Sequence, residues 1–185
     1  MAFVGVTFPG GGIKGDDPEQ CWKIRRALDG LTRELGDAVV ALRLFVPAYA
    51  EFIRAASTPL CPGELPRRQD PMVSRPPYLF ARLFLLAAGR YRAILLAHKD
   101  LDPAFNNARI ALENELPNLR GLCDSATHIE ERLQGMARSI PIVTRPVVSA
   151  TMNVTSSSAV FMEGLNGDAI EYTTADGELA ELRGP

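Results

Sequence analysis

Asp124 and His128 stand four residues apart in the stretch LRGLCDSATHIEERLQGM, residues 119–136. On a helix that spacing brings two side chains to one face. A carboxylate beside an imidazole fixes its tautomer and raises its basicity, which is half of a general acid–base site. Glu130, Glu131 and Arg132 follow directly, making this the densest cluster of proton-handling side chains in the chain. The pattern offers no nucleophile to complete it, because Cys123 adjoins Asp124 and must face elsewhere on a helix. The competing reading is a solvated helix face in which Glu130, Glu131 and Arg132 are surface charges.

Other chemistries find less material. The chain has 2 histidines, His98 and His128, and 3 cysteines, Cys21, Cys61 and Cys123, with no C-x-x-C pair. Neither a zinc site nor a disulfide framework is expected from that set. Gly10, Gly11 and Gly12 lie in a row, but the lysine and serine or threonine of a phosphate-binding loop do not follow. No cofactor and no metal are therefore expected.

The polar cluster must be carried by helices. Residues 119–136 place Leu119, Leu122, Ala126, Ile129, Leu133 and Met136 at alternating spacings of three and four, the stripe of an amphipathic helix. Upstream, Asp102 and Pro103 start a helix whose seam of Phe105, Ala108, Leu112 and Leu116 runs into it, with a kink expected at Pro117. An earlier helix spans residues 78–98, with a broad apolar face that makes it central and His98 at its C-terminal end, facing the dipole. The first helix starts at Asp16 or Asp17, with Pro18 in its first turn and Glu19 at the positive end of the dipole. Its seam runs Ile24, Leu28, Leu31, Leu35, Val39, Leu42, Val46, Tyr49 and Ile53, and Pro47 should bend it or split it in two. Residues 57–77, with Pro59, Pro62, Pro66, Pro71, Pro76 and Pro77, read as a loop made locally positive by Arg67, Arg68 and Arg75. A solvated connector is the favoured reading of that loop over a binding loop.

Beyond Pro141 valine replaces leucine and alanine. Residues 159–183 read as three short strands, with Asn166–Gly167 and Asp176–Gly177 as the tight turns. The expected fold is mainly α: an antiparallel helical bundle with a small C-terminal antiparallel β-meander, α+β overall. It divides into a flexible Gly-rich arm at 1–16, the bundle at 17–140, and a linker with the meander, packed on the bundle, at 141–185.

Composition bounds the function. The 185 residues are 46% hydrophobic and 23% charged, enough for a sizeable core, and the formal net charge of −2 gives no basic excess for nucleic acid. The apolar run at 79–96 is broken by Arg82, Arg90 and Arg92, so it is a core helix and no membrane span. The N-terminus has no lysine or arginine ahead of its short apolar run, unlike a signal peptide, and a cytoplasmic location is expected.

Residues 122–132, Leu-Cys-Asp-Ser-Ala-Thr-His-Ile-Glu-Glu-Arg, resemble the late helix of HEPN-type bundles, found in bacterial toxins and RNA-targeting defence proteins. The signature there is an arginine, a neighbouring polar residue, and a histidine a few residues further on. Asp124 and His128 match the last two positions. Cys123 stands at the arginine position, and Arg120 lies too far upstream to replace it. Leu165-Asn166-Gly167 and Thr174-Ala175-Asp176-Gly177 also resemble a tail of bacterial proteins that carry this helix. The resemblance implies a helical bundle, a homodimer and metal-independent RNA cleavage shared between protomers, with His128 and Asp124 as candidate catalytic residues. A cysteine cannot supply a bidentate cation, so it implies the fold and dimer more strongly than the activity. The expected function is a non-catalytic binding or regulatory module, a homodimer whose ligand is RNA or a partner protein. The alternative is a HEPN-like ribonuclease with a degenerate arginine position.

Overall fold

The computed structural model describes residues 17–57, 70–134, 136–137, 139–143, 147–148, 153–154, 164–166 and 169–183. The Gly-rich arm, most of the Pro-rich loop and Gly167 of the first expected turn lie outside the described residues, as do the side chains of Arg132 and Leu133.

Helix α1 (Pro18–Ala56) begins where Asp17 accepts from the Glu19 amide at 2.9 Å, with Pro18 in the first turn. It is not split at Pro47. Pro47 is exposed, so water can take the carbonyl that the missing N–H leaves free. Phe45 stacks on Tyr49 at 5.5 Å and Tyr49 lies 6.1 Å from Phe52, bracing the turns around the proline.

Helix α2 (Pro71–Ala97) corrects the expected loop over 57–77. Asp70 accepts from the Met72 amide at 2.9 Å and Pro71 needs no partner for an amide it lacks, so the helix starts there. Pro76 and Pro77 then sit inside it, and Pro77 is buried. His98 caps its end, with Nδ1 donating to the Ile94 carbonyl at 2.9 Å and the ring 5.9 Å from Phe105.

The long helix expected after Asp102 is three helices: α3 (Pro103–Glu115), α4 (Leu119–Thr127) and α5 (Ile129–Leu133). At the first break Leu116 takes φ −129° and ψ 69°, because the ring of Pro117 disfavours the helical region for the residue before it. At the second, His128 leaves the helix with φ −107° and ψ 43°.

Two short hairpins follow: β1 (Met136–Ala137) with β2 (Ile140–Pro141), which puts Met136 in a strand where the end of the amphipathic helix was expected, and β3 (Val147–Val148) with β4 (Asn153–Val154), where a linker was expected. The three-stranded antiparallel meander is β5 (Gly164–Asn166), β6 (Ala169–Thr173) and β7 (Leu179–Arg183), in that order. Gly177, at φ 80°, makes the β6–β7 turn close, as the Asp-Gly pair predicts.

The layers stack in one direction. α1 lies along α2, α3 and α4 cover the other side of α2, and the meander rests on α4. Leu122 and Ala126 of α4 are fully buried, in one apolar cluster with Leu85 and Leu95 of α2 and Tyr172 of β6. Of the seam residues expected on this helix, Leu122 is buried and Ile129 half-buried. A partly buried ion-pair network, Arg92 to Glu113 at 2.6 Å and Glu113 to Arg109, ties α2 to α3.

Glycines calibrate this packing. A Cβ at Gly89 would stand 2.9 Å from Cys123 Sγ, whereas one at Gly36 on α1 would meet nothing within 4 Å. Gly36→Ala is therefore expected to stabilise by about 0.5–1 kcal/mol through helix propensity alone. Gly89→Ala should lose that gain to overpacking and destabilise by about 1–3 kcal/mol. Urea denaturation of the two variants checks the pair; a neutral Gly89→Ala would mean that α2 and α4 do not approach this closely.

Candidate functional site

Consecutive residues on a helix point about 100° apart, and α4 sends its polar side chains to different surroundings. Cys123 turns into α2, where its thiol donates to the Leu85 carbonyl at 3.0 Å. Burial pushes this thiol up to about 12, with the nearby Asp124 carboxylate adding to the rise and the Arg92 guanidinium opposing it. At neutral pH the thiol keeps its proton, which makes it a poor nucleophile. The arginine that the HEPN pattern wants here would have to displace α2, because Gly89 and Leu85 already occupy its space.

Ser125 turns into the sheet. It is fully buried and its hydroxyl donates to the Thr173 carbonyl at 2.9 Å. Asn118, just before α4, donates to the Glu181 carbonyl at 3.1 Å. These two bonds fix α4 against β6 and β7.

His128 lies past the last turn of α4. Its side chain is 55% exposed, and Nδ1 stands 3.8 Å from Glu131 Oε1. That is a solvated pair, screened by water and salt. The backbone N–H of His128 donates to the Asp124 carbonyl at 3.1 Å, the last bond of the helix. Asp124 itself lines a cleft of about 520 Å³ whose wall does not include His128.

This cleft adjoins the sequence cluster at Asp124. Arg120, Gly121 and Asp124 of α4 form its floor, the β1–β2 hairpin gives Ile140 and Pro141, and the β6–β7 turn gives Thr174, Asp176 and Glu178. Its described charged lining is three carboxylates against one guanidinium. Among the described residues, Arg120 has no ion-pair partner within 4.0 Å. Thr174 Oγ1 is within hydrogen-bond reach of both the Asp176 carboxylate and the Glu178 carbonyl, the latter at 3.0 Å, which holds the turn in shape. Gly121 lets the turn come close: a Cβ there would stand 2.8 Å from Thr174 Cγ2.

The sequence singled out Asp124 and missed Arg120, Asp176 and Glu178 as its neighbours. The Asp176–Gly177 turn was legible, but not its position over α4. Among the described residues no group of three or more histidine, cysteine, aspartate or glutamate side chains has the geometry to hold a metal ion. Among them too, no helix is long and apolar enough to cross a membrane.

Cys123 gives a pH test of this packing. The unfolded thiol loses its proton near the ordinary value of 9.0 while the folded one keeps it up to about 12. Between those values the unfolded state binds fewer protons, so stability falls as pH rises, at up to about 1.4 kcal/mol per pH unit from this group. Denaturation midpoints from about pH 9 to about pH 11 should fall more steeply for the wild type than for Cys123→Ala. Parallel profiles would place the thiol in water.

Comparison with protein-family models, with curated proteins and with solved structures returns no match. The likeness to HEPN-type bundles thus rests on the short run of residues 122–132 and the tail alone.

Proposed function

We propose that this protein is a non-catalytic binding module whose ligand is a basic segment of a partner protein, held in the cleft between α4, the β1–β2 hairpin and the β6–β7 turn. The observation that carries this reading is the separation of the cluster. Cys123 is packed into α2, Asp124 lines the cleft, and His128 sits outside it beside Glu131. General acid–base chemistry needs its groups within hydrogen-bond reach of one reacting atom. Binding needs only a shaped wall with charge and apolar surface, and the cleft has both.

The lining sets the ligand class. Asp124, Asp176 and Glu178 outnumber Arg120, and Ile140, Pro141 and Leu179 supply apolar surface. That combination suits a segment carrying lysine or arginine next to an aliphatic side chain. The described lining offers phosphate one cation among three carboxylates, which weighs against the ribonuclease reading and against RNA as the ligand. The Cys123 thiol, partly buried and donating to the Leu85 carbonyl, fits a reducing, cytoplasmic setting.

Fluorescence anisotropy with an arginine- and leucine-containing peptide, an acidic peptide of equal length and an unstructured RNA separates the readings. The basic peptide should bind, more weakly as salt rises, and Asp124→Asn and Glu178→Gln should each weaken it by about two- to fivefold, the scale of partly solvated pairs. Binding of RNA in preference to the basic peptide, with cleavage that survives a chelator and disappears in His128→Ala, would overturn this reading in favour of the ribonuclease.

A further inference from the structure

Among the described residues, α1 makes its extensive contacts with α2 alone, so these residues leave one face of the α1–α2 pair uncovered. A groove of about 290 Å³ runs along it, lined by Asp37, Val40 and Leu44 from α1 and by Leu83, Leu86 and Arg90 from α2. Three of its apolar residues are unusually open: Val40 is 55% exposed, and Leu44 and Leu83 are each 45% exposed. Among the described residues neither Asp37 nor Arg90 has an ion-pair partner within 4.0 Å, not even the other across the groove.

The antiparallel register of the two helices decides what can cover this face. A Cβ at Gly30 would meet Ile94 at 3.1 Å, and the Phe52 ring meets Tyr78 at 6.1 Å. Between these two contacts, Asp37 falls level with Arg90, Val40 with Leu86, and Leu44 with Leu83. Each level of the groove thus carries an opposite-charge or apolar pair, one member on each wall. We infer that this groove is the contact face of a homodimer, in which a second copy lies across it about a two-fold axis running along the groove.

Such an axis exchanges the walls while keeping the levels. Asp37 of each copy meets Arg90 of the other, Val40 meets Leu86, and Leu44 meets Leu83. An isologous interface requires one patch to be complementary to itself. Here the required cation, anion and apolar row all stand on the same face, at matching heights. A lipid surface or a nucleic acid would ask for charge of one sign, and this groove offers both. The face is short, so the dimer should be in concentration-dependent exchange with monomer. The inference does not rest on the cleft, which lies on the far side of α2.

Sedimentation velocity of the full chain over a concentration series tests it, with circular dichroism confirming that each variant is folded. The wild type should shift from monomer to dimer as concentration rises. Asp37→Arg and Arg90→Asp should each weaken the dimer by about tenfold or more, because each places like charges together twice in the assembly. The double variant should restore it to within a few-fold of wild type. Leu83→Glu should leave a folded monomer. A wild type that stays monomeric overturns the inference, as do single reversals without effect or a folded double variant that stays as weak as the singles.

Discussion

Where α2 crosses α4, a methyl group on Gly89 would stand 2.9 Å from the Cys123 sulfur, and where α4 meets the β6–β7 turn, one on Gly121 would stand 2.8 Å from Thr174. Both distances are shorter than non-bonded heavy atoms tolerate. The nine residues of α4 are therefore clamped from two sides, by contacts that exist because two side chains are missing. Leu122 and Ala126 fill the space between, fully excluded from water. The meander reaches the helical layers through this short helix: Tyr172, Ile170, Ala180 and Leu182 join the same apolar cluster as Phe84 and Leu85.

The chemistry of the chain follows from this clamping. Once Leu122 and Ala126 are fixed inward, the helical period leaves no choice for their neighbours. Cys123 must enter α2, Ser125 must meet the sheet, and Asp124 must face the opening between them. A cluster that is dense along the sequence becomes dispersed in space, and the position of Asp124 is set by packing. What α4 and the turns build together is a wall of mixed charge and apolar surface.

Much of the fold was legible from residue types. Asp17–Pro18 and Asp102–Pro103 cap their helices as cap chemistry demands. The Asp176–Gly177 turn and the antiparallel meander follow from an alternating pattern and a residue tolerant of positive φ. Prolines break this chain less often than their stiffness predicts. Pro71 starts a helix because Asp70 caps it, and Pro76 and Pro77 ride within a helix whose later turns are bought by buried Phe84, Leu85 and Leu95. The break at His128 carries no glycine or proline, so nothing local announces it. The candidate site was legible only at Asp124. Arg120, Asp176 and Glu178 come together through the tertiary approach of Gly121 to Thr174, and no spacing along the chain encodes that approach.

If α4 is the element that joins meander and helices, the two should open together. Native-state hydrogen exchange at the backbone amides of Leu122 and Ala126 in α4, Ile170 and Tyr172 in β6, and Phe84 and Leu85 in α2 reads this directly. One shared opening free energy, equal to that of global unfolding, is expected. Exchange of the β6 amides with an opening free energy several kcal/mol below that of α2 would contradict it, because the meander would then be a separate unit merely resting on the bundle.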